Sequence, residues 1–155
     1  MLPAYWESAC QELASADPVL AALIARYPGM GLRSRGDAFH TLARSIVGQQ
    51  ISVKAADSVW TRLEACLGDV ASELVLALDT DTLRSCGLSA RKVEYLSDLA
   101  RHHRDGRLDP LAWQDWDDEA IIAELCTIRG IGRWTAEMFL IFHLLRPDVL
   151  PLDDI

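Results

Sequence analysis

Three groups of residues have the types and spacing to do chemistry. Gly130-Ile131-Gly132-Arg133 sets two glycines around one apolar residue, so the backbone can take positive φ twice while Ile131 turns into a core. Arg133 then falls beside the N-terminus of the following helix, where unpaired N–H groups and the positive dipole end favour an anion such as a phosphate. Gln49-Gln50 stands at a joint between two apolar, helix-period segments, where an amide can either cap backbone or project outward. Asp153 and Asp154 are adjacent, so they point in different directions and only one can face a given substrate; as helix caps, both would stabilise through the dipole. The cysteines at 10, 66, 86 and 126 are scattered without a Cys-x-x-Cys spacing, which argues against zinc or a thioredoxin-like pair and reads as reduced thiols. His102-His103 reads as a favourable dipole partner at a helix C-terminus, and His40 and His143 as isolated.

The elements that must position these groups are helical. Tyr5–Ala14 and a segment from Asp17-Pro18 through Ala25 read as two short helices, followed by the loop Tyr27–Gly31. A helix after Asp37 carries Phe39, Leu42, Ala43, Ile46 and Val47 on one face and ends at Gly48; Ser52 caps the next, with Val53, Ala56, Val59, Trp60 and Leu63. Gly68–Leu78 is a connector with room for a short helix, Asp81 opens another, and Gly87 closes it. Ser89 caps a strongly amphipathic helix, with Ala90, Val93, Leu96, Leu99 and Ala100 inward and Arg91, Lys92, Glu94 and Asp98 outward and solvated. Asp117-Asp118-Glu119 enriches the first turn of a helix running to Cys126, and an apolar helix follows the glycines to Arg146-Pro147. No period-two alternation persists anywhere, so the fold class is all-α.

Leu125 to Ala136 thus reads as a helix-hairpin-helix, followed by Val149-Leu150-Pro151-Leu152-Asp153-Asp154. Here the chain resembles the helix-hairpin-helix DNA glycosylases of base-excision repair, specifically the 3-methyladenine DNA glycosylase II branch. The resemblance implies two helical subdomains with an active-site cleft between them, residues 1–34 being an N-terminal helical segment and 35–155 the glycosylase domain. It also implies further helices after Asp153, which this chain does not contain. By the same resemblance, Gly130, Ile131, Gly132, Arg133 and Thr135 grip phosphates. Within Ile46-Val-Gly-Gln-Gln-Ile-Ser-Val, Gln50, with Gln49 second, fills the gap left by an expelled base. Asp153, two positions after a proline, is the catalytic carboxylate.

Trp134 occupies the position where the family's lyase members carry a Schiff-base lysine. The resemblance therefore implies a monofunctional hydrolase of the DNA-3-methyladenine glycosylase II type, acting without a cofactor or metal, as a monomer, on double-stranded DNA with damaged bases. Tryptophan also offers a π face to a base made cationic by alkylation, worth ~1–2 kcal/mol in a desolvated pocket; the plainer reading is core packing. A non-catalytic helix-hairpin-helix module binding DNA or protein is the alternative from a different class.

The 155 residues suit one domain. A net charge of −8 weighs against a DNA partner. The acidic cluster Asp115–Glu119 is nonetheless separate in sequence from Arg33, Arg35, Arg44, Lys54, Arg129 and Arg133, which form a small basic footprint in or near the DNA-facing motifs. Such a footprint predicts weak, salt-sensitive binding. No apolar run approaches a membrane span and no signal peptide opens the chain, so the expected location is intracellular: a bacterial cytoplasm or nucleoid, or a nucleus.

Overall fold

The computed structural model describes residues 1–34 and 36–155; Arg35, one of the footprint cations, lies outside them. Among the described residues there are nine helices and no strand: α1 (Trp6–Ala16), α2 (Pro18–Arg26), α3 (Ala38–Gly48), α4 (Val53–Leu67), α5 (Ser72–Ala77), α6 (Thr80–Ser85), α7 (Ala90–Arg104), α8 (Asp118–Leu125) and α9 (Arg133–Phe142). Local chemistry sets most of their starts. The side chains of Asp17, Asp37, Ser52, Asp79, Ser89 and Asp117 each accept a hydrogen bond from a backbone N–H two or three residues on, satisfying donors that a helix leaves open. The cap of α6 is Asp79 where Asp81 was expected; Asp81 lies in the first turn.

The core forms where apolar stripes converge. Phe39, Leu42, Ile46 and Val47 of α3, Val93, Leu96 and Leu99 of α7, and Ile121, Leu125, Phe139 and Leu140 of α8 and α9 are all buried. Helix α7 packs on α3, α5 and α6, and α9 packs on α8 and α3. Helices α1 and α2 pack on each other, and neither buries a residue. Ala90, expected inward, is exposed at the first position of α7.

The histidines are not isolated. His143 Nδ1 lies 3.0 Å from Thr41 Oγ1 and its ring stacks on Phe139. Burial holds its pKa below the ordinary value, against a smaller opposing pull from Asp37. His40 meets the Trp60 ring edge-on, His103 Nδ1 lies 2.7 Å from Ser72 Oγ, and His102 Nδ1 lies 2.9 Å from the Asp98 carbonyl oxygen. Among the described residues no group of three or more His, Cys, Asp or Glu is placed to hold a metal, and no helix is long and apolar enough to cross a membrane.

Candidate nucleic-acid interface

The turn between α8 and α9 follows from its residues. Thr127, Ile128 and Ile131 N–H donate to the carbonyls of Glu124, Leu125 and Ile128, while the Ile128 and Ile131 side chains are buried as anchors. Gly130 has φ +87°, and a Cβ there would lie 2.3 Å from the Tyr95 ring. Only glycine satisfies both demands. Gly132 differs from expectation: φ is −96° with ψ 178°, and a Cβ would meet nothing within 4 Å. The chain reverses once, at Gly130; Gly132 serves as the N-cap of α9, a position that takes extended backbone. No side chain caps α9, so the N–H groups of its first turn stay open to an anion.

The seat of this hairpin is the face of α7 that the sequence marked as solvated. Asp98 Oδ2 accepts from the Arg129 N–H at 2.9 Å, Glu94 pairs with Arg129 at 3.4 Å, and Tyr95 lies beneath Gly130. One turn earlier, Lys92 Nζ donates to the Val47 carbonyl at 2.8 Å, and burial holds its pKa below the usual lysine value. The end of α3 and the hairpin are therefore fastened to one helix.

That arrangement separates the two glutamines. Gln49 Nε2 donates to the Gly130 carbonyl at 2.8 Å, tying the α3–α4 joint to the turn. Gln50 is exposed, with φ +58° and no hydrogen-bond partner among the described residues. Both line a groove of about 590 Å³ with Arg44, Gly130, Trp134 and Thr135. Through Arg44 and Ser45 the groove adjoins a second hollow of about 780 Å³, which His40, Trp60 and Phe142 help to line. Trp134 is 45% exposed, so it is not a core residue.

Two predicted residues sit differently. The Arg133 guanidinium is held by both oxygens of Glu119 and, through Nε, by Glu137 Oε1 at 2.9 Å. Instead of standing free for a phosphate, it joins α8 to the first turn of α9 and holds the Glu119 carboxyl below its ordinary range. Glu137 is 4% exposed, and its Oε2 has no partner among the described residues. Asp153 is exposed on a turn where the Asp154 N–H approaches the Pro151 carbonyl at 3.5 Å; it lines neither hollow, and Asp154 does not begin a helix.

Residues 43–155, which hold the glutamine joint, the hairpin and the acidic pair, match the model of the HhH-GPD superfamily base excision DNA repair proteins. The chain belongs to that superfamily. This HhH-GPD chain is 32% identical to DNA-3-methyladenine glycosylase 1 of Schizosaccharomyces pombe over 88% of its length, and 31% identical to DNA-3-methyladenine glycosylase 2 of Escherichia coli over 87%. It spans 61% and 51% of those relatives' own lengths. Its structure is similar to a DNA-3-methyladenine glycosidase from Bacillus halodurans, with TM-score 0.80, 35% identity, and coverage of 92% of this chain and 67% of that one. The S. pombe enzyme Mag1, solved in complex with abasic DNA, gives TM-score 0.76 at 30% identity, covering 96% of this chain and 75% of the other.

Several groups that shape the HhH-GPD hairpin here were not singled out from sequence. Tyr95, Asp98 and Lys92 sat within a charged helix face, and their contacts reach residues 31 to 45 positions away. Arg44, by contrast, was counted in the basic footprint; it pairs with Asp57 and lies over the Trp60 ring at 5.2 Å. Ser45 and Glu137 gave no signal beyond polar type.

Proposed function

We propose that this chain is the DNA-facing part of a monofunctional DNA glycosylase that releases alkylated bases of the 3-methyladenine type by hydrolysis. The observation that carries the reading is Trp134: a half-exposed ring in a groove shared with Gln49, Gln50 and the hairpin, which the resemblance would set where lyase members carry a lysine. The open amides at the start of α9 and the hairpin backbone take phosphates, with Thr135 beside them. Gln50 enters the stack in place of the extruded nucleotide, and Gln49 braces the joint. The expelled base meets the Trp134 face, whose quadrupole favours a cationic base over a neutral one.

Breaking the N-glycosidic bond leaves positive charge on the sugar, and a cationic base departs neutral, taking the bonding pair. Asp153 is the carboxylate of this reading. It stabilises the sugar cation and accepts a proton from the water that adds to C1′. The reading includes an N-terminal segment of residues 1–34, a domain from residue 35, action as a monomer on duplex DNA, and a location with the genome, in a nucleoid or a nucleus.

The test is release of free base from methylated duplex DNA by this chain, by its natural full-length form, and by Asp153→Asn in each. Release of 3-methyladenine that falls at least 100-fold in Asp153→Asn is expected, as for loss of a transition-state charge partner. A second reading, a non-catalytic module, is favoured by the position of Asp153 outside both hollows. DNA binding without any base release by the full-length protein would establish it.

A further inference from the structure

Two cysteines that are 20 positions apart in sequence meet in the fold. The Cys86 thiol donates to Cys66 Sγ across 3.2 Å. Cys66 lies in the last turn of α4 and is exposed; Cys86 follows α6 and is buried. Packing on both sides holds the contact. Cys86 Sγ also lies 3.5 Å from the Thr82 carbonyl oxygen, and the turn after α6 presses on α4 so closely that a Cβ on Gly87 would fall 3.2 Å from Val59 Cγ2 and 3.0 Å from Arg62 Nη1. Arg62, one turn before Cys66, brings a positive charge to the pair. Burial and the neighbouring thiol push the Cys86 thiol up, against a smaller pull down from Ser85 and Arg62. The exposed sulfur is therefore the one a solute reaches, and its partner is already in place behind it.

We propose that Cys66 and Cys86 form a reversible intramolecular disulfide when the protein meets a peroxide, a modification site distinct from the DNA-facing groove. The Cys66 thiolate attacks one peroxide oxygen, the O–O bond breaks, and the departing hydroxide takes a proton to become water. Cys66 is then a sulfenic acid. Cys86, giving up its proton, attacks that sulfur; the S–O bond breaks, a second water leaves and the S–S bond forms. Two thiols are oxidised and hydrogen peroxide is reduced to two waters. A dithiol reverses the step by exchange.

The bond closes a loop that contains α5 and α6 and fastens the end of α4 to the end of α6, restraining the unfolded chain. Cys66 is at the opposite end of α4 from Ser52, about 20 Å along the helix axis from the glutamine joint. The bond therefore leaves the groove intact, and this inference does not depend on the glycosylase reading.

The protein is treated with equimolar hydrogen peroxide, alkylated, digested without reductant and mapped by mass spectrometry. A Cys66–Cys86 linked peptide is expected that dithiothreitol removes, with Cys10 and Cys126 alkylated. The oxidised protein should melt about 5–10 °C higher than the reduced one. Cys66→Ser, a change at an exposed position, should abolish both the link and the rise in Tm while the reduced protein melts as before. Cys86→Ser should abolish the link and let Cys66 proceed to sulfinic acid. Three outcomes overturn the proposal: Cys66 reaching sulfinic acid in the wild type while Cys86 is still alkylated, a link to Cys10 or Cys126, or a link only between molecules. An unchanged Tm in a protein shown to carry the link overturns the fastening role.

Discussion

Gln49 and Gln50 are the same side chain one position apart, and the backbone alone gives them opposite tasks. Gln49 is consumed by the Gly130 carbonyl, whereas Gln50 sits at φ +58° with no hydrogen-bond partner among the described residues. A non-glycine residue in the left-handed region costs of order 1–3 kcal/mol. Gln50→Gly should relieve that strain and leave stability unchanged or up to about 1 kcal/mol higher in urea titration. If Gln50 fills the stack as proposed, the same variant should slow base release from well-paired lesions severalfold. A variant that is both less stable and fully active would remove Gln50 from the role. Trp134 invites a similar test. Trp134→Ala should lower release of cationic bases about 10-fold, the worth of one cation–π contact, with Trp134→Phe in between. Equal loss for a neutral base in single-turnover assays would reduce Trp134 to shape alone.

At the scale of elements, the hairpin rests on one glycine of its two. Gly130→Ala forces a side chain into positive φ and into the Tyr95 ring. It should cost about 2–4 kcal/mol in chemical denaturation, only partly recovered in combination with Tyr95→Ala. Gly132→Ala places its Cβ in open space with ordinary φ; its cost should stay under about 1 kcal/mol, the difference between glycine and alanine at an N-cap. Two equal costs would contradict the single reversal seen here. The helices themselves were legible because their signals are local. Asp37, Ser52, Ser89 and Asp117 cap within three residues, and the apolar stripes of α3, α4 and α7 repeat at helix period. The exceptions follow the same physics: Asp79 and Asp81 are both good caps two residues apart, and a count of spacing cannot choose between them.

For the whole molecule, charge is the governing quantity. The net charge is −8, and three cations of the basic footprint are already partnered: Arg44 with Asp57, Arg129 with Glu94, Arg133 with Glu119 and Glu137. Binding to duplex DNA should therefore release few counterions, with log K against log salt falling at a slope of about −2 to −4. Glu119→Gln removes half of the clamp on Arg133 and should steepen that slope by about 1 while tightening binding at low salt. A slope of −6 or beyond in fluorescence anisotropy would show that the paired cations do reach phosphates in the wild type, and no change in Glu119→Gln would show that Arg133 reaches none even when half released.

The sequence by itself determined the all-helical class, the hairpin with its apolar anchors, and the glutamine joint. Each is written in caps, glycines and periodicities that act over a few residues. Only the tertiary structure decided which glutamine is bound, since the Gly130 carbonyl that takes Gln49 is 81 positions away. It also turned the outward face of α7 into the seat of the hairpin, took Arg133 from the phosphate to Glu119, and set Cys66 against Cys86. Those contacts depend on which surfaces α3, α4, α7 and α9 turn toward each other, and that orientation is settled by packing of the shared core.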